Sequence, residues 1–213
     1  MELFDESDNL FTLMEKLEEL DKYAIEIGMF GSDDSFYAMI ANVHEFGMTI
    51  KPKTSKNLAI PVHENAVGKS PKDFGESLKP MFSRKNGESK VYGLGIEKSP
   101  GSNELEMYFV LKKSVNIPER SFIRSTFDEK NDEWMDFLES QIEKVCELEI
   151  DVKTVFERLG ARIVADIQRN MTDMRSPRNA PLTISNKGSS NPLIDTGELR
   201  RHVTWKVVSN DVI

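Results

Sequence analysis

His44-Glu45 stand side by side in an apolar-patterned stretch. They match the first half of a His-Glu-x-x-His arrangement, which sets two zinc-binding imidazoles on one helix face with a glutamate as base. The position that must carry the second histidine is Met48. His63 and His202 are far away in sequence, and neither has a second ligand at helical spacing. Cys146 is the only cysteine, so neither an internal disulfide nor a cysteine-built metal site can form; it reads as a buried structural thiol. Gly68-Lys69-Ser70 is like the close of a phosphate-binding loop, yet the loop-opening glycine is replaced by His63. Gly93-x-Gly95 lies inside a strand pattern, without the third glycine and following helix of a dinucleotide site. No Gly-x-Ser-x-Gly elbow occurs. Acid pairs such as Asp132/Glu133 and Glu147/Glu149 fall on charge-rich helix patterns, where solvated faces account for them better than acid–base work does. Arg120 with Arg124, and Arg200 with Arg201, lack interleaved aromatics, so they read as partners for the excess acids rather than as phosphate readers. The expectation is a protein that is not an enzyme, with no catalytic residues, no metal ligands and no cofactor.

The elements around these residues follow from hydrophobic spacing. Ser7 or Asp8 can cap a helix to about Leu20, with Leu10, Leu13, Met14, Leu17 and Leu20 on one stripe. Tyr23 to Phe30 reads as a strand closed by Gly31-Ser32-Asp33-Asp34. Ser35 to Phe46 reads as a second helix, capped by Asp33, Asp34 or Ser35 and ended by Gly47, with Ile40, Val43 and His44 or Phe46 inward. From Thr49 to about Val115 the pattern is β, and residues 63–90 read as an insertion or excursion because of their prolines and glycines. Ser125–Leu148 and Asp151–Met174 read as two long amphipathic helices, joined or nearly continuous around Glu149-Ile150-Asp151. Residues 175–191, rich in Pro, Ser, Asn and Gly, read as a mobile loop, and Leu199 to Val208 as a closing strand. The sum is a single α+β domain over residues 1–213. It has a small curved antiparallel sheet packed by two long C-terminal helices, and a short N-terminal helix.

With 213 residues, 38% hydrophobic and 30% charged, the chain is long enough to bury a core beneath a large solvated surface. No apolar run approaches the ~20 residues of a membrane span, and the acidic start lacks a secretory pattern. Synthesis and use in the cytoplasm are therefore expected, with no membrane partner. The net charge of −8 is uneven: residues 1–50 hold twelve acids against Lys16 and Lys22, a balance of −10, which leaves +2 for the rest. An acidic first quarter disfavours nucleic acid as a specific ligand and suits a basic protein surface, or simply a solvated helix face.

Three segments carry a resemblance. The first is Ala38 to Gly47, containing Ala-x-x-His44-Glu45-x-Gly47 after the strand Ile25 to Gly28. The second is Ile117-Pro118-Glu119-Arg120-Ser121-Phe122-Ile123-Arg124, just before the long helices. The third is Asn179 to Ile184, Lys187-Gly188-Ser189, then Pro192-Leu193-Ile194-Asp195-Thr196-Gly197-Glu198-Leu199-Arg200. In this order the set resembles the minor structural proteins of tailed phages and prophages: the neck, tail-completion and virion-morphogenesis proteins of the head–tail connector type. It departs from them in the extra 63–90 segment and in Ser121, where a second proline often stands.

The resemblance implies a structural assembly protein made in the bacterial host cytoplasm and located in the virion. Such a protein completes the tail or joins tail to head as a ring-like homo-oligomer, in contact with other neck or tail proteins. The N-terminal helix and the 175–191 segment would be its adhesive parts. His44, Glu45, Gly47, Pro118, Arg120, Phe122, Asp195, Thr196, Gly197 and Leu199 are then structural. Gly47 and Gly197 supply φ > 0, Asp195 bonds backbone two residues on, and Pro118 keeps Ile117 extended. Two rival readings remain at this level: a phage-encoded module acting on a host protein, and a metal-dependent hydrolase.

Overall fold

In the computed structural model, residues 3–85 and 88–210 are described. The elements are α1 (Leu3–Leu20), β1 (Tyr23–Gly28), α2 (Ser35–Phe46), β2 (Met48–Ile50), β3 (Leu58–Pro61), β4 (Lys79–Lys85), β5 (Glu88–Glu97), β6 (Leu105–Lys112) and β7 (Val115–Ile117). They continue with α3 (Arg124–Cys146), α4 (Val152–Asp173), α5 (Pro181–Lys187), α6 (Glu198–Arg201) and β8 (Thr204–Ser209). The fold is α+β, with antiparallel sheets, an N-terminal helix and two long helices late in the chain. Among the described residues the strands form three sheets rather than one: β1-β8, β2-β7 and β3-β6-β5-β4. The chain forms two compact units, one of residues 1–46, 120–176 and 191–213, the other of 47–119 and 177–190.

The first unit is built on α4. Val155, Leu159, Ile163, Val164, Ile167 and Met171 are buried along it at three- and four-residue steps, the stripe that a 3.6-residue period predicts. Against this face lies the β1–β8 pair, in register from Tyr23 opposite Ser209 to Gly28 opposite Thr204. Trp205 of β8 crosses α4 at Gly160, where a Cβ would come within 3.0 Å of the indole ring. Phe122, Trp134, Leu193, Leu199 and Val203 complete the core, and the indole N–H of Trp134 donates to Asp166 at 2.9 Å.

The two long helices are separate. At the end of α3, Leu148 takes φ 59°, the Leu148 N–H bonds the Val145 carbonyl and the Glu149 N–H bonds that of Lys144. This is a Schellman stop with leucine where glycine is usual. Asp151 then caps α4 by accepting from the Thr154 N–H at 2.7 Å.

Several sequence expectations are corrected. Helix α1 already runs at Leu3, so Ser7 and Asp8 lie inside it instead of capping it; the interior penalty for Ser and Asp is only a few tenths of a kcal/mol, ~0.5, and does not stop a helix. Its apolar positions divide between two faces: Leu13 and Leu20 are half-buried, while Leu10, Met14 and Leu17 are 59%, 51% and 42% exposed. Phe46 is exposed, and the Arg124 guanidinium lies 4.6 Å from its ring; Cys146, expected to be buried, is exposed at the last position of α3. Residues 199–201 are helical, so the closing strand begins at Thr204; Leu199 and Val203, on either side of the helix end, are both buried in the core. Within 175–191, read as a loop, Pro181–Lys187 form α5, with proline in the first turn and Gly188 at φ 70° ending it.

In the second unit the 63–90 stretch contains 3-10 turns at Glu64–Ala66 and Pro71–Ser77 and the strand β4. β4 is the outer strand beside β5. Pro80 and the charges of Lys79 and Arg84 hide it from a hydrophobic-pattern reading, and an edge is where a sheet tolerates them. Phe109 of β6 is fully buried, and Phe74 meets its ring edge-on at 5.8 Å.

Candidate functional site

Helix α3 starts at residues that cannot cap it. Ile123 holds the cap position with no side-chain acceptor to offer, which leaves the first N–H groups of the helix without partners. Glu45, near the end of α2, fills that role from 78 positions away. Its carboxylate accepts from the backbone N–H of Phe122 at 2.9 Å, Ile123 at 3.0 Å and Arg124 at 3.0 Å. The Ser121 hydroxyl donates to it at 2.8 Å and Arg124 Nε at 3.2 Å. Arg124 Nη2 also donates to the Glu45 carbonyl at 2.8 Å, and the Arg120 N–H to the His44 carbonyl at 2.7 Å. Two segments thus close on each other through side chain and backbone together.

Electrostatics fixes the ionisation state. Glu45 is 5% exposed, and burial alone would raise its pKa. The Ile123 and Arg124 N–H groups, the Ser121 hydroxyl and the Arg124 side chain outweigh that burial and hold the carboxyl below its usual range. Five donors on two oxygens leave this carboxylate fully engaged, so it is built to hold charge and not to exchange a proton. Arg120, 4% exposed, has its pKa lowered by burial, and its Nη1 lies 3.3 Å from His44 Nδ1. An arginine only donates, so Nδ1 is the accepting side of this contact.

The first two sequence motifs therefore meet: His44 and Glu45 with Arg120, Ser121 and Phe122, the last fully buried in the core. In the second unit, Gly47 takes φ 69°, and a Cβ there would stand 2.8 Å from the Glu119 nitrogen and 3.1 Å from the Ile117 carbonyl, beside the Met48–Ile117 pairing of β2 and β7. Pro118 follows directly on that pairing, consistent with an extended Ile117. The third motif shapes a different corner. Gly197 has φ 86° and Leu199 enters the core. The turn is not held by the Asp195 side chain, which is exposed. Thr196 Oγ1 accepts the Glu198 N–H at 3.4 Å, and Asn191 Oδ1 accepts those of Leu193 and Ile194, both at 2.9 Å. Asn191 lies close enough to bond the buried backbone of this turn, and Asp195 faces water.

Sequence reading missed Asn170. Its amide donates to the Phe122 carbonyl at 3.2 Å, Ser125 Oγ at 3.0 Å and Thr126 Oγ1 at 2.7 Å, pinning the start of α3 to α4. The signal was a polar residue between Ile167 and Met171 on the buried stripe of α4.

The histidines are separately engaged. His63 stacks on Tyr108 at 4.2 Å, and its Nδ1 accepts the Asn65 N–H at 3.1 Å. His202 stacks on Tyr37 at 4.0 Å beside a cleft of about 190 Å³, with Nδ1 2.8 Å from the Glu198 carbonyl. Among the described residues no three His, Cys, Asp or Glu side chains are grouped to hold a metal ion. No described helix is long and apolar enough to cross a membrane. Comparisons with protein-family models, curated proteins and solved structures find no match for this chain.

Proposed function

We propose that this chain is a structural assembly protein of a tailed bacteriophage or prophage, working in the virion as an oligomer that completes the tail or joins it to the head. The observation that carries this reading is the Glu45 node. The Ala-x-x-His-Glu-x-Gly and Ile-Pro-x-Arg-x-Phe motifs are distant in sequence, yet the second supplies donors and the first the acceptor for one helix start. The two motifs of the resemblance thereby acquire one shared physical task, and that task is scaffolding. The engaged state of Glu45 supports scaffolding over acid–base chemistry at these residues.

The test is mass spectrometry of purified particles released from the host that carries the gene. The chain is expected in intact particles at a fixed low copy number. Absence from particles, with the protein left free in the lysate, overturns the proposal.

A further inference from the structure

Two surfaces are exposed among the described residues, and they complement each other in charge. The first is on α1. Leu10, Met14 and Leu17 follow four- and three-residue steps, and Phe11, 66% exposed, lies beside them. Glu15 and Glu18 edge this stripe and form no ion pair with another described residue. The opposite side of the helix is already used: Leu20 packs on the Val145, Val152 and Val155 cluster, and Lys16 Nζ donates to the Ile150 carbonyl at 2.9 Å.

The second surface is a cleft of about 830 Å³ on the four-stranded sheet, lined from every strand or the residue before it: Asn57, Leu111, Tyr92 and Ser83 among others. Its rim carries Lys56, Lys90, Lys112 and Lys113, which also form no ion pair with another described residue. Four strands at ~4.8 Å spacing span roughly 14 Å, enough to seat a helix about 10–12 Å across.

Charge selects the occupant. Each unit holds fourteen Lys and Arg, but the acids divide 28 to 8, giving formal charges of −14 on the first unit and +6 on the second. The lysines of the cleft sit around Val91, Tyr92 and Leu111, apolar surface that suits an amphipathic helix and that a phosphate backbone would leave unused. We infer that copies of this chain join head to tail, α1 of one copy laying its apolar stripe and acidic edge into the lysine-rimmed cleft of the next. The inference rests on the oligomeric assembly role proposed above and names the surfaces that carry it. Such a heterologous contact generates a ring when its rotation closes.

The test is solution mass across a concentration series for four proteins: the natural chain, Glu15→Lys with Glu18→Lys, Lys90→Glu with Lys113→Glu, and the chain carrying all four changes. All four positions are exposed, and circular dichroism checks that each variant folds. The natural chain is expected to associate, each double reversal to weaken self-affinity by at least about tenfold, and the four-fold swap to restore it. Unchanged association in the double reversals, or no rescue by the swap, overturns the docking while leaving an oligomer of another geometry. A natural chain that stays monomeric throughout also overturns it, and its presence or absence in particles then decides the assembly role separately. Retention of nucleic acid through Lys90 and Lys113, with no change in self-association, would reassign the cleft.

Discussion

Glu45 shows how a carboxylate can be structural and charged at once. Replacing it with glutamine keeps its shape but turns one acceptor into a donor facing N–H groups, removing the charge that the donors require. Breaking a buried network of this kind costs roughly 2–4 kcal/mol. Glu45→Gln is therefore expected to lower the urea midpoint of unfolding at neutral pH. Its pH dependence has a definite sign. A carboxyl whose folded pKa is depressed stabilises fully above its unfolded value, about 4.3, and the contribution fades as pH falls through the lower folded value. The stability gap between the natural chain and the glutamine variant should thus narrow as unfolding is followed below about pH 4. A gap that is absent at pH 7, or unchanged at low pH, would remove the capping role from Glu45.

At the scale of elements, α4 and β8 meet where a helix gives up a side chain. An exposed helical Gly→Ala change gains about 1 kcal/mol. At Gly160 the added methyl meets the Trp205 indole, itself held by a 3.1 Å bond from Nε1 to Glu157. Overpacking of this kind costs about 1–3 kcal/mol, so the sign reverses. Gly160→Ala is expected to lower the thermal midpoint, and a rise would show that the indole swings clear at no cost. Much of this level was legible in the sequence, because α2, α3 and α4 carry 3.6-residue periodicity and β6 alternates. What was hidden lacks local pattern. β4 looks polar because it is an edge, α5 is masked by loop-type residues around Pro181, and α6 interrupts a strand-like stretch to bury Leu199. The node was half legible: motif order marked His44, Glu45, Arg120 and Phe122, but no pattern within either segment shows that one caps the other. Asn170 needed the structure, since a lone amide on a helix says nothing of its three acceptors.

For the molecule as a whole, charge and apolar surface make opposite claims about salt. The 28-to-8 division of acids between units is a long-range effect, and its reach shrinks from ~10 Å at 0.1 M salt to ~3 Å at 1 M. Association through the α1 stripe and the lysine cleft should weaken between 0.05 and about 0.5 M salt when followed by light scattering. Association that strengthens instead would point to apolar contact without the charges. The β1–β8 pairing has another consequence, one of timing. Gly28 and its partner Thr204 lie 204 − 28 = 176 residues apart in sequence. At ~5–20 residues per second the ribosome takes roughly 9–35 s to deliver the second strand after the first. During that interval β1 waits unpaired, while residues 47–119 have already emerged with every strand of their two sheets. The acidic unit is thus the last to close.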